Sequence, residues 1–186
     1  MGTEIEKKYR LSREQRTELL RHLLEIGAVM EGEEFEVNTI YGGGNLDLRR
    51  SVLRLRRVGE RTVLTYKERF PSSSAIKHQR EDETRVEDAG ALESILDALG
   101  YRPVLVYEKR RLTWRIDDVE AVIDELPFGL FLEIEGEEKS ILEVERRLGL
   151  EEVEAEMASY PELTARYGRK QDDRVEARFK AVTSDE

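Results

Sequence analysis

Acidic and basic side chains alternate with apolar ones in several short segments of the chain. Near the N-terminus, Glu4, Glu6 and Lys8 occupy every second position, and further on Arg54 and Arg56 alternate with leucines. Because side chains alternate across a β-strand, residues two apart share one face. The spacing therefore predicts strands that have one charged face and one apolar face.

The charges on these predicted faces are sorted by sign. The acidic positions are Glu4, Glu6, Glu81, Glu83, Asp124, Glu133 and Glu135. The basic positions are Lys8, Arg54, Arg56, Lys67, Lys77, Lys109 and Arg111. Clustered carboxylates repel one another, and a hard divalent cation such as Mg²⁺ or Mn²⁺ relieves that repulsion through oxygen ligands. Clustered Arg and Lys suit a polyanion, because Arg offers a planar fork to phosphate oxygens and Lys a point charge.

Two arrangements of these strands are open. In an ordinary sheet, the charged face is wet and the apolar face is dry. In a closed sheet with helices outside, the apolar faces point outward beneath the helices and the charges point inward. Charges of both signs in one cavity predict a metal-bridged phosphate chain as the ligand, which is the usual electrostatic solution for phosphoryl transfer.

Eight segments are predicted to be strands: residues 3–10, 35–41, 51–58, 61–68, 77–86, 104–117, 119–126 and 129–136. Amphipathic helices are predicted at 12–26, 88–99 and 139–148, with a weaker helical piece at 151–167 interrupted near Pro161. Turns at Gly59-Glu60, Asp117-Asp118 and 127–129 favour antiparallel pairing. The predicted fold class is therefore α+β, an eight-stranded antiparallel β-barrel tunnel with helices packed outside.

Local signals set the ends of some segments. Ser12 with Gln15 gives a capping-box pattern at the start of the first helix. Residues 70–75, with a proline and three serines, are predicted to form a mobile loop. Residues 170–186 are polar and are predicted to be a charged C-terminal tail, disordered or loosely helical. The predicted tunnel domain is residues 1–169.

Composition narrows the class of function. The net charge of the 186 residues is −10, whereas non-specific DNA-binding domains are usually basic, so no nucleic-acid partner is expected. The absence of a long apolar run and of a signal-peptide pattern leads us to expect a cytoplasmic protein with no membrane partner. Without cysteine there is no disulfide framework or Cys-based zinc site, and two histidines, His22 and His78, argue against a His-rich metal site.

Seven segments, taken in order, resemble the CYTH superfamily, also called triphosphate tunnel metalloenzymes. They are Glu4-Ile5-Glu6-Lys7-Lys8, Leu53-Arg54-Leu55-Arg56-Arg57, Thr65-Tyr66-Lys67, Glu81-Asp82-Glu83, Glu108-Lys109-Arg110-Arg111, Ile123-Asp124-Glu125 and Phe131-Leu132-Glu133-Ile134-Glu135-Gly136. The first is weak alone in a chain rich in Glu and Lys, but the ordered combination is specific and covers about residues 3–168. The superfamily includes class IV adenylyl cyclases, thiamine triphosphatases, inorganic tripolyphosphatases and, more distantly, RNA triphosphatases.

The resemblance implies a tunnel that binds a triphosphate and one or two divalent ions, Mg²⁺ or Mn²⁺. The catalytic set implied by the motifs is Glu4, Glu6, Lys8, Glu133 and Glu135. The implied metal ligands are Glu4, Glu6, Asp124, Glu133 and Glu135, and Glu81 and Glu83 match an acidic pair on a middle strand of the family. The implied phosphate contacts are Lys8, Arg54, Arg56, Lys67, Lys109 and Arg111, with Lys77 as a further candidate. A one-residue slip of strand 77–86 would point Arg80 and Asp82 inward instead of Glu81 and Glu83.

Other positions depart from the family pattern or face away from the tunnel. The family often has an aspartate after an aromatic residue in the second strand, whereas this chain reads Asn38-Thr39-Ile40-Tyr41-Gly42. Residues 158–163 resemble the end of the family pattern, and a helix there would plug one mouth of the tunnel. Trp114 is predicted to pack under a helix, and Lys7 and Arg57 are predicted to lie outside.

Three functions remain open. A triphosphatase positions water in line with a phosphorus atom, with metal and acids lowering the pKa of the water. A class IV adenylyl cyclase instead converts ATP to cyclic AMP and pyrophosphate through the 3′-hydroxyl. A non-catalytic polyphosphate- or nucleotide-binding module is disfavoured, because so many carboxylates would weaken phosphate binding without metal.

Hydrolysis of tripolyphosphate, ATP or thiamine triphosphate is the favoured reaction, because nothing in the sequence marks a nucleobase pocket. The sequence leaves open which triphosphate is used, which metal is preferred and the oligomeric state, a homodimer included.

Overall fold

The computed structural model describes residues 2–70 and 74–180. The strands in these ranges are β1 (Gly2–Leu11), β2 (Val29–Gly43), β3 (Ser51–Val58), β4 (Arg61–Arg69), β5 (Lys77–Val86), β6 (Tyr101–Ile116), β7 (Val119–Leu126), β8 (Gly129–Glu135), β9 (Arg169–Gln171) and β10 (Arg174–Ala177). The helices are α1 (Arg13–Glu25), α2 (Ala89–Ala98), α3 (Glu138–Arg147) and α4 (Tyr160–Tyr167). Within the described ranges, no helix combines the length and the apolar character that a membrane crossing requires.

Strands β1 to β8 close into an antiparallel barrel, as predicted. Their order is β2-β3-β4-β5-β1-β8-β7-β6, and β6 pairs back to β2 from Val29–Arg115 to Gly43–Tyr101. Closure leaves no free edge between neighbouring barrel strands. Every second side chain of each strand must therefore point into the barrel.

Tight turns join several neighbouring strands. Val58 pairs with Arg61 across Gly59, whose φ of 54° suits a glycine. Ile116 pairs with Val119 across a turn in which Asp117 adopts a φ of 55°, a conformation that Asp tolerates better than most residues. The predicted hairpins at these positions are confirmed.

The apolar strand faces pack outward under the helices. Trp114 lies in one cluster with Leu19 and Leu23 of α1 and with Ile141 and Val144 of α3. The prediction that Trp114 packs under a helix is therefore confirmed. The capping box of Ser12 and Gln15 is also present at the start of α1.

Charged residues of outward parity pair with acids on the helices. Lys7 Nζ lies 2.5 Å from Glu145 Oε1 of α3, and Arg57 Nη2 lies 2.5 Å from Glu93 Oε1 of α2. Their predicted positions outside the barrel are confirmed. His78 also has outward parity, and its Nε2 is 3.9 Å from Glu138 Oε2.

Strand β5 pairs in the register that places Glu81 and Glu83, rather than Arg80 and Asp82, on the inner face of the barrel. Gln79 of β5 pairs with Glu4 of β1, and Glu81 pairs with Lys67 of β4. Arg80 lies on the other face, with its guanidinium carbon 5.9 Å from the centre of the Tyr66 ring. The slipped alternative, with Arg80 and Asp82 inside, is not the register of the protein.

Strands β2 and β6 are longer than predicted, because two register irregularities, at Met30/Gly32 and Ile40/Tyr41, let the ladder continue. Gly43 closes the far end with a φ of 104°, and a Cβ there would lie 2.3 Å from the carbonyl oxygen of Gly100. A glycine at position 43 permits this close approach.

The predictions for the C-terminal third require two corrections. Pro161 does not interrupt a helix: it lies in the first turn of α4, where a missing N–H costs nothing, and residues 151–158 are not helical.

The second correction concerns the tail, which was predicted to be disordered or helical. It contains β9 and β10, and β10 runs parallel to β6 at residues 105–107. This pairing is available because β7 covers β6 only over residues 110–116. Residues 71–73 of the predicted loop and 181–186 of the predicted tail lie outside the described residues.

Leu55 and Arg56 test which side of the barrel wall is inside. Leu55 is fully buried with Tyr41 and Leu96 under α2, so Leu55→Arg should lower the free energy of unfolding by about 3 kcal/mol or more. Arg56→Ala changes a side chain that faces the interior and should fold, with its main effect on anion binding. Thermal denaturation followed by circular dichroism measures both. A stable Leu55→Arg beside an unfolded Arg56→Ala would mean that the two faces are reversed.

Candidate active site

Charged side chains from six barrel strands line a cavity inside the barrel. The lining residues are Glu4, Glu6, Lys8, Val52, Arg54, Arg56, Lys67, Arg69, Lys77, Gln79, Tyr107, Lys109, Arg111, Glu133, Glu135, Ser159, Tyr160 and Pro161. The structure thus brings together eleven of the fourteen positions singled out from the sequence. The other three, Asp124, Glu81 and Glu83, lie behind or beside the cavity.

Arg54, Arg56, Lys109 and Arg111 form one wall of the cavity, which we call the basic wall. Glu36 lies at the centre of this wall, although sequence reasoning missed it. Its carboxylate is fully buried and lies 3.5 Å from Arg56 Nε, 3.3 Å from Lys109 Nζ and 3.9 Å from Arg111 Nε. Asn38 Nδ2 also donates to Glu36 Oε2 at 3.1 Å. Burial alone would raise the pKa of Glu36, but Lys109, Arg56 and Arg111 together hold it well below its usual range. Glu36 is therefore an ionised counter-ion among the bases.

Asp124 performs a similar function from the opposite side. Its carboxylate accepts two hydrogen bonds from Arg111, at 2.8 Å from Nε and 2.6 Å from Nη2. Lys109 Nζ lies 3.3 Å away, and the Tyr160 hydroxyl donates to Asp124 Oδ2 at 2.8 Å. With these contacts the fully buried Asp124 orients two bases rather than facing the cavity.

Lys109 is a strongly desolvated cation. Burial and the nearby Arg111 together lower its pKa to about 8, against the attraction of Asp124 and Glu36. An anion bound beside Lys109 would favour its charged form. The basic wall is thus arranged so that added negative charge stabilises it.

The acidic wall is formed by neighbouring positions of β1 and β8. Glu6 is opposite Glu135, and Lys8 is opposite Glu133. Glu133 lies 3.3 Å from Lys8 Nζ and 2.8 Å from Arg111 Nη2. Although burial would raise the pKa of Glu133, Lys8 and Arg111 hold it well below its usual range.

Two lysines neutralise the acids of β1. Lys67 Nζ pairs with Glu4 Oε2, which also accepts a 2.7 Å hydrogen bond from Gln79 Nε2. Lys77 Nζ lies 3.5 Å from Glu6 Oε1. Burial lowers the pKa of Lys77, and the neighbouring Lys8 adds to that effect. These pairs join the acidic wall to bases that also line the cavity.

Glu135 is the least compensated acid of this wall. Burial and the nearby carboxylates of Glu4, Glu120 and Glu6 together raise its pKa to about 7, against the opposing effect of Lys67. Oxygen-only ligands with excess negative charge fit a hard divalent cation. Over residues 2–70 and 74–180, no three His, Asp or Glu side chains converge as a metal site, because the carboxylates are paired with lysines and arginines.

The remaining predicted acids lie at the edge of the cavity. Glu81 is 3.3 Å from Lys67 Nζ and 3.9 Å from Arg54 Nη2. Glu83 is exposed and accepts a 3.1 Å hydrogen bond from Thr65 Oγ1. In this arrangement Glu81 contacts the bases Arg54 and Lys67, whereas Glu83 contacts Thr65, whose hydroxyl in turn accepts a hydrogen bond from Arg54 Nη2.

The start of α4 closes one side of the cavity, as the predicted plug would. Lys8 Nζ donates to Ala158 O at 3.2 Å and lies 4.1 Å from the centre of the Tyr160 ring. Lys109 Nζ is 5.4 Å from the same ring. The buried ring of Tyr160 thus covers both lysines. The alternating pattern of the strands could not predict this role, because Tyr160 lies on a helix.

Several buried polar atoms on the basic wall lack hydrogen-bond partners among the described residues. They are Arg54 Nε, Arg56 Nε, Glu36 Oε1 and Asn38 Oδ1. A buried donor without a partner costs about 1–3 kcal/mol, so such groups mark places where water or a ligand binds. The two arginine donors favour an anion at this wall.

Comparison with known proteins gives consistent results. The CYTH domain family matches residues 2–160. A Methanocaldococcus jannaschii protein named "Putative adenylate cyclase" is 29% identical over 147 residues, which is 77% of this chain and 81% of that protein. The PH1012 protein of Pyrococcus horikoshii superposes with a TM-score of 0.75 at 27% identity, covering 86% of this chain and 98% of that one.

A third similarity is more distant. The Hippeastrum protein HpAC1, described as a "putative adenylyl cyclase" with "a dominant triphosphatase activity", has a TM-score of 0.61 at 21% identity. The match covers 84% of this chain and 92% of that chain. At this identity the similarity establishes the fold alone.

Glu36→Gln should destabilise the protein and strengthen anion binding. At pH 7 the loss of a buried charge that neutralises three cations should lower the free energy of unfolding by about 3–5 kcal/mol. Because the variant removes repulsion beside the bases, its tripolyphosphate affinity should increase on the order of tenfold, or about 1.4 kcal/mol. Chemical denaturation and isothermal titration calorimetry measure the two effects.

Glu34→Gln is the matched control, because Glu34 is on the same strand and parity but is half-exposed, 2.8 Å from Arg61. The low folded-state pKa of Glu36 means that its stabilisation is present above its unfolded pKa of about 4.3 and is lost as the pH falls below it. The stability gap between wild type and Glu36→Gln should therefore shrink in acid. A gap that is independent of pH, or equal to that of Glu34→Gln, would contradict the assignment.

Proposed function

The chain belongs to the CYTH domain family, and on that basis we propose that it is a divalent-metal-dependent enzyme that binds a triphosphate in the charged cavity and hydrolyses it. The observation that carries the proposal is the pairing of a basic wall, with unsatisfied Arg54 and Arg56 donors, and an acidic wall within one cavity. A triphosphate with a divalent ion complements both walls at once.

The phosphate chain would be held by the basic wall. Arg54 and Arg56 would direct their guanidinium groups to phosphate oxygens, and Lys109 would add a point charge. Because Glu36 and Asp124 already fix these bases, little reorganisation is needed when negative charge develops on the phosphate. Preorganised positive groups of this kind are usually the largest contribution to phosphoryl-transfer catalysis.

Glu4, Glu6, Glu133 and Glu135 would hold the divalent ion. When bound, such an ion supplies charge neutralisation at phosphate oxygens and lowers the pKa of nearby water. Lys67 and Lys77 would then lose their present partners, Glu4 and Glu6, and would turn to the phosphate oxygens. The two lysines would thus exchange one anionic partner for another.

Hydrolysis is preferred over cyclisation because the cavity residues address phosphate and cation. A linear inorganic triphosphate satisfies these groups as fully as a nucleotide does. The cyclase alternative is supported by the name of the Methanocaldococcus jannaschii relative. A purely binding module is disfavoured, because four carboxylates in the lining repel phosphate unless a cation is present.

Activity should require a divalent metal and the acidic wall. Glu4→Gln, Glu6→Gln and Glu133→Gln each remove one charge while keeping the shape of the side chain, so the variants should fold. Each should lose about 100-fold or more in phosphate release, roughly 2.7 kcal/mol of barrier, and EDTA should abolish the activity of the wild type. Glu18→Gln, on the exposed face of α1, is the matched control. Full activity in EDTA, or in all three variants, would refute the metal assignment.

The products separate the two reactions. With Mg²⁺ or Mn²⁺, we expect tripolyphosphate to be cleaved to pyrophosphate and phosphate, and ATP to release phosphate or pyrophosphate without cyclic AMP. Anion-exchange chromatography identifies all of these products. Substantial cyclic AMP together with uncleaved tripolyphosphate would establish the cyclase reaction and leave the cavity assignment intact.

A further inference from the structure

Tyr160 carries an aromatic ring from helix α4 into the charged cavity. It is the first residue of α4 and lines the cavity, although it belongs to none of the barrel strands. The side chain is buried, and the centre of its ring lies 5.4 Å from that of Phe131 and 6.2 Å from that of Tyr107. Packing against strands β8 and β6 therefore fixes the orientation of this ring.

The hydroxyl of Tyr160 binds a carboxylate oxygen that two bases also approach. It donates to Asp124 Oδ2 at 2.8 Å, and the same oxygen lies 2.6 Å from Arg111 Nη2 and 3.3 Å from Lys109 Nζ. Of these three donors, only the phenol is uncharged at neutral pH. Tyr160 therefore holds Asp124 without adding to the repulsion between Arg111 and Lys109.

Asp124 passes this constraint on to Arg111. Arg111 donates to both carboxylate oxygens, from Nε to Oδ1 at 2.8 Å and from Nη2 to Oδ2, so the plane of the carboxylate sets the plane of the guanidinium. If the carboxylate turns, the guanidinium must turn with it. The orientation of a base that lines the cavity therefore depends on a hydroxyl of α4 through one intermediate residue.

The ring of Tyr160 makes contacts that are separate from those of the hydroxyl. Lys8 Nζ lies 4.1 Å and Lys109 Nζ lies 5.4 Å from the centre of the ring, within the range in which an aromatic face attracts a cation. Tyr160→Phe would keep both of these contacts and remove only the hydroxyl. The two roles can therefore be separated by one conservative substitution.

The start of α4 is held by residues that line the same cavity. Arg69 makes two hydrogen bonds to Glu162, at 3.1 and 3.2 Å, and Lys8 Nζ donates to Ala158 O at 3.2 Å. Glu162 is also the partner of Ser159 in the capping box at the start of the helix. Tyr160 is thereby fixed relative to the bases of the cavity.

We propose that Tyr160 is a positioning residue for triphosphate binding: its hydroxyl fixes Asp124, and Asp124 in turn holds Arg111 in the orientation that meets phosphate oxygens. The inference rests on the proposed function and extends the binding machinery from the barrel strands to helix α4. Tyr160 itself needs no contact with the phosphates in this arrangement. Its contribution is to keep Arg111 oriented before the ligand arrives, which lowers the cost of ordering the site on binding.

Equilibrium binding measures this contribution without turnover. A methylene-bridged analogue of tripolyphosphate, which cannot be hydrolysed at the bridges, is titrated by calorimetry in Mg²⁺. Tyr160→Phe should raise the Kd about fivefold, as expected for the loss of one hydrogen bond to a charged group. Tyr167→Phe, which removes the hydroxyl of a half-exposed tyrosine on the same helix, is the matched control and should change the Kd less than twofold. Partial unfolding would lower the stoichiometry of binding and leave the Kd of the folded fraction unchanged, so the Kd reports positioning.

A double-mutant cycle shows whether the hydroxyl acts through Asp124. In an Asp124→Asn background, Tyr160→Phe should change the Kd less than twofold, because the charged acceptor that passes on the constraint is gone. If Asp124→Asn does not fold, as judged by circular dichroism, Arg111→Lys takes its place. A lysine has no planar fork to be oriented, so Tyr160→Phe should again change the Kd less than twofold.

The outcomes separate this inference from the proposed function. A change below twofold in Tyr160→Phe alone, or a change of twofold or more in the second background, would overturn the role of Tyr160. If the wild type binds the analogue but does not cleave tripolyphosphate, the hydrolase proposal is wrong, and the cycle still decides the role of Tyr160. If the wild type does not bind the analogue, both proposals are wrong.

Discussion

The structure depends on one constraint: charges enclosed in a barrel must be neutralised from within. Burial of an unpaired ion costs several kcal/mol even after relaxation. Lys109 is accordingly held between Glu36 and Asp124, and Glu133 lies between Lys8 and Arg111. Because the ionic faces satisfy one another inside, the apolar faces are left for the helices outside. Barrel closure, helix placement and the candidate site are therefore consequences of one charge arrangement.

The neutralisation is incomplete in two places, and these places define what can bind. On the basic wall the Nε atoms of Arg54 and Arg56 keep unused donors, and on the acidic wall Glu135 has a pKa raised to about 7 by burial and its neighbouring carboxylates. One wall therefore favours added anionic oxygens and the other favours an added cation. A single ion of either sign would leave the other wall unsatisfied, which is why a polyanion with a divalent ion is the ligand that suits the whole cavity.

The alternation of charged and apolar residues predicted the barrel and which side chains face its interior, because the two faces of each strand lie in different environments. Leu55 and Arg56, for example, are neighbours in sequence, but Leu55 packs under a helix and Arg56 faces the interior. Glu36 was missed because its partners, Arg56 and Lys109, lie on other strands and its own strand carries Asn38 where a charge would have marked the face. Strand β10 depends on how far β7 covers β6, a property of the whole sheet.

Buried and exposed ion pairs are under different physical constraints. Glu36 and Asp124 are fully buried among cations, so the loss of either charge leaves a buried cation without its partner and costs stability. An exposed pair such as Arg61 with Glu34 is different, because water solvates the remaining charge when one partner is lost. The ions that the barrel encloses are therefore the ones that cannot change independently of one another.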